Sequence, residues 1–310
     1  MKSLFIEPSP HIKSGMTTQK IMLHVLIALF PSIVASTVVY GLSALVMISV
    51  CAAACVVFEW LFEKITKRPR TTGDLSAIVT GVLLAFNLSP LLPLYMAVIG
   101  CFVAIVVVKQ MFGGIGQNFA NPAITARIVL MLSFTSNMTM WAKPFFYNSA
   151  DAVTTATPLA EKSGSLPSMF EMFFAKSGCI GECCNAALLL GGLYLIAMRI
   201  INPVTPIVFI GTVALGSFIG GVDAGYGVLS GGLILGAFFM ATDYATTPLT
   251  TKGKAIFALG CGLITILIRF YGSMPEGVSY SILLMNILTP YIDKISKPKM
   301  FGAKKEAKKA

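Results

Sequence analysis

Ten apolar segments, most of them close to the length of a membrane-crossing helix, run through this sequence with mostly short polar connections between them. An α-helix needs about 20 consecutive apolar residues to cross a bilayer. Hydrophobic residues make up 56% of the chain and charged residues only 12%, whereas a soluble domain carries about 25% charged residues. The sequence therefore predicts an all-α integral membrane protein with about ten transmembrane helices. The predicted spans are residues 21–40, 43–62, 74–89, 91–108, 122–141, 184–199, 203–221, 226–242, 255–272 and 278–293.

The Lys and Arg residues indicate how these spans are oriented. Cytoplasmic connections of membrane proteins carry an excess of Lys and Arg. If the N-terminus is cytoplasmic, 18 of the 23 Lys and Arg residues fall in connections on that side and three on the other, while Arg127 and Arg269 lie within spans. This distribution favours an even number of spans, with both termini in the cytoplasm.

The longest connection divides the chain into two halves. Five predicted spans precede it and five follow it, and because five is odd, the halves enter the membrane in opposite orientations. Proteins with a site near the middle of the bilayer commonly have such an inverted repeat. We predict a cytoplasmic N-terminus at 1–20, a five-helix half at 21–141, an external loop at 142–183, a second five-helix half at 184–293 and a Lys-rich cytoplasmic tail at 294–310.

The net charge of +10 and the seven cysteines limit the kinds of site. Seven lysines follow Ile292, and a Lys-rich tail next to a membrane indicates contact with anionic lipid rather than with nucleic acid. Four cysteines lie in apolar spans, where a thiol behaves as a small hydrophobic group. Only Cys179, Cys183 and Cys184 lie in a polar setting. With two histidines and no complete cysteine motif, the sequence predicts no metal site, and it assigns no catalytic residue.

The densest polar motif is KQMFGGIGQNFANPAITARIVL. Gly113 and Gly114 allow the backbone to approach a flat or bulky group closely. Asn118 and Asn121 offer amide donors and acceptors, and Pro122 suits the first turn of a helix. Two interpretations remain open: the run is a tight cytoplasmic turn with a helix cap, or it is a re-entrant loop that lines a ligand or ion site.

Three other charged positions each have two interpretations. The motif FFMATDYATTPLTTKGK places Asp243 beside Thr246 and Thr247 at the end of a predicted span, where the carboxylate either caps and faces the cytoplasm or serves a cation or proton path. Asp74 begins another span and is either an N-cap or part of such a path. Arg269 lies near the outer end of its span, and it either snorkels to the interface or contacts an anionic group.

Four long motifs resemble one family over nearly the whole chain, from about Ser14 to Asp293. They are TTGDLSAIVTGVLLAFNLSP, FGGIGQNFANPAITAR, FFMATDYATTPLT and PEGVSYSILLMNILTPYIDK. The family is the D subunit of the Rnf complex, the ion-translocating ferredoxin:NAD oxidoreductase. The B subunit of the sodium-pumping NADH:quinone oxidoreductase is closely related to it. The resemblance implies a ten-helix membrane flavoprotein.

The resemblance also implies cofactors, partners and a location. Family members carry an FMN joined through its phosphate to a threonine at the outer side of the membrane, and a riboflavin held deeper without a covalent bond. Electrons pass to neighbouring subunits, which include the flavin-bearing G subunit and the A, B, C and E iron–sulfur subunits, and the transfer is linked to sodium or proton movement. We therefore expect a multi-pass subunit of a redox-driven translocase, not active alone, in a bacterial or archaeal plasma membrane.

The stretch GCIGECC is similar to the family's FMN attachment segment but departs from it at the attachment position. Cys183 replaces the threonine, and the flanking serines are cysteines too. Because a phosphoester needs a hydroxyl, three alternatives stay open: FMN is bound without a covalent link, FMN is absent or replaced, or an unusual link forms at Cys183 or nearby. The residues predicted for this outer site are Gly178, Cys179, Gly181, Glu182, Cys183 and Cys184, with Arg269 as a phosphate partner.

For the inner flavin we predict one site built from two motifs. Its residues are Gly113, Gly114, Asn118, Asn121, Pro122, Asp243, Thr246 and Thr247, and Asp74 and Asp243 are candidates for an ion path. The rival hypothesis is a solute channel or secondary transporter on the same inverted-repeat plan. If the cysteine replacement has abolished flavin binding, the chain is instead an assembly scaffold for redox partners.

Overall fold

The computed structural model describes residues 15–148, 154–155, 168–272 and 277–297, and these residues are mostly helical. The helices are α1 (Thr18–Tyr40), α2 (Leu42–Thr66), α3 (Ser76–Phe86), α4 (Leu94–Phe102), α5 (Pro122–Ser133), α6 (Thr135–Met138), α7 (Met169–Phe174), α8 (Asn185–Ala197), α9 (Val204–Ile219), α10 (Ala224–Leu229), α11 (Leu233–Leu235), α12 (Thr251–Tyr271) and α13 (Val278–Ser296). α4 and α11 continue as π-helices over Val103–Gln110 and Gly236–Met240, and 3₁₀ turns cover Thr72–Asp74, Phe146–Asn148 and Ile180–Glu182. The strands β1 (Trp141–Ala142) and β2 (Thr154–Thr155) pair antiparallel, with Trp141 opposite Thr155.

Three of the described helices, α1, α2 and α12, are long and apolar enough to cross a membrane. Shorter apolar helices accompany them: α3, α4 with its π extension, α5, α8 and α9. Large apolar side chains such as Phe30, Leu215 and Leu267 are exposed on the surface of these helices, as expected where a helix faces lipid. The chain is therefore an α-helical membrane protein, and this part of the prediction is confirmed.

Each of the ten predicted segments overlaps a helix, but two of them are divided. The segment 226–242 forms α10 and α11, which are separated at Gly231, where φ is 64°. The segment 122–141 forms α5, the single turn α6 and the strand β1. Gly231 adopts its left-handed backbone without steric cost because glycine has no Cβ. In a membrane, a broken helix is tolerated only where the backbone is buried in protein or lines a cavity.

The first helices of the two predicted halves, α1 and α8, pack along each other, and the last ones, α5 and α13, are also in contact. Close packing of α1 on α8 depends on Gly191, because a Cβ at this position would overlap the carbonyl oxygen of Ala28. Between the helices lies one apolar core, in which Tyr40, Phe86 and Phe257 are among the largest fully buried side chains.

Parts of four predicted regions lie outside the described residues: 1–14 in the N-terminus, most of 149–167 in the external loop, 273–276 in the second five-helix half, and 298–310 in the tail. The described end of the loop, residues 168–183, turns back into the helix bundle. Ile180 is fully buried there. Residues 178–183 are all buried and belong to the core of the molecule, whereas most of residues 168–174 are exposed.

Candidate functional sites

Residues 176–184, here called the thiol segment, lie inside the helix bundle just before α8. The buried hydroxyl of Tyr40 donates hydrogen bonds to the carbonyl oxygens of Lys176 and Gly178, each at 3.2 Å. All three cysteines of the segment are buried. The segment is thus fixed by the end of α1, and its thiols face protein.

The glycines of the thiol segment make tight contacts with protein. A Cβ at Gly181 would overlap the side chain of Phe86, the last residue of α3. The backbone N–H of Ile180 donates to the carbonyl oxygen of Leu88 at 2.9 Å, so the segment is bound to the chain that leaves α3. Gly178 faces the Glu182 carboxylate, which would lie 3.4 Å from a Cβ there. Gly181 therefore allows the segment and α3 to touch.

The thiol segment also contacts the break between α10 and α11. The Lys176 ammonium donates to the carbonyl oxygens of Leu229 and Gly231 at 2.6 and 2.8 Å, and the Asn185 amide donates to the Leu229 carbonyl at 2.8 Å. The last carbonyls of a helix have no partner within the helix. Lys176 and Asn185 supply those partners at the end of α10.

Two more charged side chains lie at this break. Arg269 donates to the carbonyl oxygens of Gly227 and Ser230 at 2.5 and 3.0 Å. Glu182 is buried, and its Oε1 has no hydrogen-bond partner among the described residues. That oxygen would lie 2.5 Å from a Cβ at Gly232. The predicted outer-site residues Glu182 and Arg269 thus both lie beside the broken helix.

Burial shifts the titration of two groups in the thiol segment. It lowers the pKa of the Lys176 ammonium from its ordinary value, and the nearby Glu182 carboxylate opposes this shift. It raises the pKa of the Cys183 thiol. Because the thiolate is the reactive form of cysteine, Cys183 is not poised as a nucleophile. Cys184 precedes α8 and makes no side-chain hydrogen bond to its first turn.

Arg127 connects the thiol segment to the rest of the core. Its guanidinium donates to Oδ1 of Asn87 and to Oγ of Ser279, both at 2.9 Å, and it lies 3.5 Å from Sγ of Cys179. Four chain regions therefore meet at one buried cation. The sequence indicated that Arg127 needs a partner, because it lies within an apolar span, but it gave no sign of Asn87 or Ser279.

The 113–122 loop and the residues after α11 meet at a pocket of about 100 Å³, here called the loop pocket. Asn118, Asn121, Pro122 and Asp243 line it, so the structure brings together these four residues of the predicted inner site, which come from two distant motifs. Oδ1 of Asn118 is buried and has no hydrogen-bond partner among the described residues. A buried, unpaired amide oxygen is costly, and it marks a position where a ligand donor fits.

The other four predicted inner-site residues support the loop pocket without lining it. Gly113 and Gly114 have φ of 121° and 96° and form the turn after the π-helix. The Thr246 hydroxyl donates to Oδ2 of Asp243 at 3.2 Å, and the Thr247 hydroxyl donates to its carbonyl oxygen at 2.6 Å. Burial raises the pKa of the Asp243 carboxyl, and backbone N–H groups and Thr246 oppose the shift. The threonines hold Asp243 in place.

Asn121 and Pro122 also begin α5. The Asn121 side chain accepts hydrogen bonds from the N–H groups of Ala123 and Ile124 at 3.1 and 3.3 Å, which is N-capping, and Pro122 is the first helical residue. The helix-cap interpretation is therefore confirmed. Because the same residues line a cavity, the two interpretations of this motif are compatible.

A buried ion pair lies beside the loop pocket. Nζ of Lys109 is 2.6 Å from Oε1 of Glu59 and 2.6 Å from Oγ of Ser76, and the Gln110 amide donates to the same Glu59 oxygen at 2.7 Å. Asp74 accepts from the Ser76 hydroxyl at 2.6 Å and from its N–H at 2.9 Å. Asp74 is thus joined to the ion pair through Ser76. Leu75 occupies the N-cap position of α3, so Asp74 accepts the first N–H of the helix from one residue further upstream.

Glu59 and Lys109 are not among the site residues predicted from the sequence. Glu59 falls inside the predicted span 43–62, and Lys109 falls among the predicted cytoplasmic connections. The available signal was a carboxylate within an apolar span, since such a residue usually faces the interior of the bundle and has a partner. The sequence does not show that Lys109, fifty residues away, is that partner.

These features define a class of protein. The broken helix, the buried charges at its end and the polar loop pocket are typical of helical membrane proteins that hold a ligand or an ion within the bundle. Soluble monomers rarely expose contiguous apolar surface of the kind that α1, α9 and α12 present here.

The chain belongs to the NQR2, RnfD, RnfE family, whose profile matches residues 5–302. It is 47% identical to the D subunit of the Na(+)-translocating ferredoxin:NAD(+) oxidoreductase complex of Acetobacterium woodii, over 99% of this chain and 98% of the relative. It is 43% identical to the D subunit of the proton-translocating ferredoxin:NAD(+) oxidoreductase complex of Clostridium ljungdahlii, over 98% of both chains. With the D subunit of the ion-translocating oxidoreductase complex of Stutzerimonas stutzeri it shares 35% identity over 92% of both chains.

Proposed function

We propose that this chain is a flavoprotein membrane subunit of an Rnf-type complex and passes electrons between flavins and partner subunits. In such a complex the electrons move between ferredoxin and NAD, and their transfer drives Na⁺ or H⁺ across the membrane. The family and the names of the relatives support this proposal. The observation that carries it is the loop pocket, where polar groups from two distant motifs surround a cavity inside the bundle.

The loop pocket fits riboflavin by its donor set. The ring system of a flavin has imide and carbonyl groups, and the unpaired Oδ1 of Asn118 offers an acceptor to the imide. Asn121 adds an amide, and Val79 and Leu83 add an apolar wall. The pocket volume of about 100 Å³ is below the roughly 300–1,000 Å³ of most ligand sites, so binding has to widen it. A bound flavin supplies the electron transfer, and the protein orients and tunes it.

For FMN we propose a site at the thiol segment without a covalent bond. A link to Cys183 does not fit, because its thiol is buried and its pKa is raised by that burial. Within the described residues the first turn of α8 has no side-chain cap, and free N–H groups at a helix N-terminus favour a phosphate. The Arg269 guanidinium donates to carbonyl oxygens at the end of α10. We therefore assign the FMN phosphate to the start of α8 in preference to Arg269.

The finer topology is part of the same proposal. We propose ten spans in two inverted halves, with both termini in the cytoplasm, in a bacterial or archaeal plasma membrane. The contacts of α1 with α8 and of α5 with α13 support a pseudo-symmetric arrangement, since each pair joins corresponding helices of the two halves. The G subunit and the A, B, C and E iron–sulfur subunits are the proposed partners.

An ion path is proposed along the two carboxylates that border the loop pocket. Asp243 lines the pocket, and Asp74 reaches it through Ser76 and Lys109. The relatives named here differ in the ion that their names give, which is sodium in one and the proton in the other. We therefore propose coupling to a monovalent cation without assigning which one.

The test uses this chain isolated from the purified complex under mild conditions, because the G subunit and the iron–sulfur subunits proposed as its partners carry flavin and colour of their own. The chain is denatured in SDS and viewed under ultraviolet light, and the released flavins are identified by chromatography. We expect no fluorescence on the band and both FMN and riboflavin in the extract. A colourless preparation would refute the flavoprotein proposal and favour a transporter. Fluorescence on the band would refute non-covalent binding, and riboflavin alone would refute an FMN site at the thiol segment.

Single substitutions distinguish the proposed riboflavin site from the proposed FMN site. Asn118→Leu removes the unpaired acceptor from the loop pocket and is expected to lower the riboflavin content severalfold while FMN stays unchanged. Gln117→Leu is the matched control, because Gln117 is an exposed neighbour that does not line the pocket. Equal riboflavin contents in the two variants would remove Asn118 from the inner site.

A further inference from the structure

A groove of about 530 Å³ lies between α1 and α8 on the surface of the bundle. Its volume is within the roughly 300–1,000 Å³ of ligand sites. The walls are apolar, and Ile27, Phe30 and Leu190 are exposed on them. Ala28 and Gly191, where the two helices touch, form the floor. The groove is therefore open to the membrane, and among the described residues that line it only Tyr194, at one end, has a polar side chain.

Two residues explain why the surface is hollow here. Gly191 has no side chain to fill the space above the helix contact. Pro31 lies within α1 and lines the groove, and because it has no N–H, the carbonyl of Ile27 loses its usual partner in the helix. A proline in the middle of a helix also displaces the preceding turn. Together they give a permanent depression rather than a gap between flexible side chains.

Beyond the Tyr194 end of the groove, the same face of α1 carries polar and cationic residues. Lys20, His24, Ile27 and Pro31 are spaced four, three and four residues apart, which places them on one face of α1. Tyr194 lines the groove at this end, and its hydroxyl is joined to Nδ1 of His24 by a hydrogen bond of 2.8 Å. Lys20 is exposed one turn beyond them.

The antiparallel packing brings a second cation to the same end. His24 is opposite Tyr194, and Ala28 is opposite Gly191, so α8 runs toward the end where Lys20 lies. Arg199 follows the last turn of α8 there and is exposed. The groove thus has apolar walls, and two exposed positive charges lie on its helices beyond the Tyr194 end, outside the lining.

From this geometry we propose that the groove binds one acyl chain of an anionic phospholipid, with the phosphate at Lys20 and Arg199. Lys20 and Pro31 are 11 residues apart, about 16 Å along the axis at 1.5 Å per residue. This length equals one leaflet, about half of the roughly 30 Å hydrocarbon core. The walls on α1 cover only residues 26–31, about 8 Å, which suits a flexible chain better than the side of a partner helix.

Retained lipid provides the first test. The complex is reconstituted with equal amounts of phosphatidylglycerol and phosphatidylcholine, repurified, and its bound lipids are counted by mass spectrometry. Leu190→Trp fills the groove, and Leu193→Trp is its control, because both leucines are 61% exposed on α8 and only Leu190 lines the groove. We expect Leu190→Trp to lose a bound phospholipid that the wild type and the control retain.

The headgroup is tested with a second matched pair. Lys20→Gln should weaken retention of phosphatidylglycerol about fivefold, the effect of one Lys near an anionic surface, and leave phosphatidylcholine unchanged. Lys252→Gln, an exposed lysine in the first turn of α12, should have no effect. Equal lipid retention in the two leucine variants would contradict binding of an acyl chain in the groove. An equal preference for phosphatidylglycerol in the two lysine variants would contradict binding of an anionic headgroup at Lys20.

A photoreactive residue at position 190 distinguishes the occupants. Attachment to phospholipid would support the proposal. Attachment to another subunit of the complex would overturn it, because the groove would then be a protein interface. The same probe at position 193 shows how much labelling comes from bulk lipid, and labelling at 190 must exceed it.

Discussion

The thiol segment and the loop pocket are both rich in glycine, yet glycine serves different purposes in them. In the thiol segment, Gly181 lets the chain press against Phe86. In the loop, Gly113, Gly114 and Gly116 all have positive φ and form a turn, and a Cβ at Gly116 would meet no atom of the described residues within 4 Å. The comparison teaches that the same residue type allows close packing in one region and a turn with positive φ in the other.

The two regions also differ in how they hold charge. At the broken helix, Lys176 and Arg269 donate to backbone carbonyls, so their positive charges stabilise the end of α10. Beside the loop pocket, Lys109 is paired with the Glu59 carboxylate. The first region is closed around its charges, whereas the second has a cavity next to them.

The largest loss of stability is expected from breaking the ion pair between Lys109 and Glu59. Lys109→Met leaves Glu59 buried and uncompensated, which should lower the free energy of unfolding by about 3–5 kcal/mol. The double variant Glu59→Gln with Lys109→Met removes both charges and should recover most of that loss. Thermal unfolding of the purified protein measures both. If the double variant is as unstable as the single one, the pair is not the cause of the loss.

The second-largest loss of stability is expected from Gly181→Ala, which tests whether Gly181 allows the thiol segment to pack against α3. Gly181→Ala places a methyl group against Phe86 and should destabilise the protein by about 1–3 kcal/mol, the usual cost of overpacking. Gly211→Ala is the control, because Gly211 lies within α9 with open space around it, and alanine there should stabilise by up to about 1 kcal/mol. Opposite signs in the unfolding experiment support the packing role, and two stabilising substitutions would contradict it.

The smallest loss of stability is expected from Gly116→Ala, which tests whether the turn in the loop depends on the positive φ of glycine. Gly116→Ala has room for its methyl group but must adopt φ of 85°, which costs about 1–2 kcal/mol for a residue with a Cβ. Gly73→Ala also has open space and needs no positive φ, so it should be near neutral. If Gly116→Ala is equally neutral, the turn does not depend on glycine, and the contrast with the thiol segment is lost.

Local patterns in the sequence predicted much of the fold. Apolar runs gave the membrane class and the approximate position of every long helix, and Asn121 before Pro122 gave the start of α5, because capping depends on neighbouring residues. The resemblance to the family placed Gly181 in the outer flavin site. Its role against Phe86 could not be predicted, because it depends on which helix end lies opposite.

By itself, the sequence determined what the membrane requires: long apolar helices, cationic connections, and motifs that identify the family. The tertiary structure decided which polar residues face one another. It joined Asn118 with Asp243 across the loop pocket, Lys109 with Glu59, and Lys176 with the carbonyls of a broken helix. The physical reason is that a buried polar group must find a partner wherever the packing of the helices offers one, and that packing is set by contacts between residues far apart in the chain.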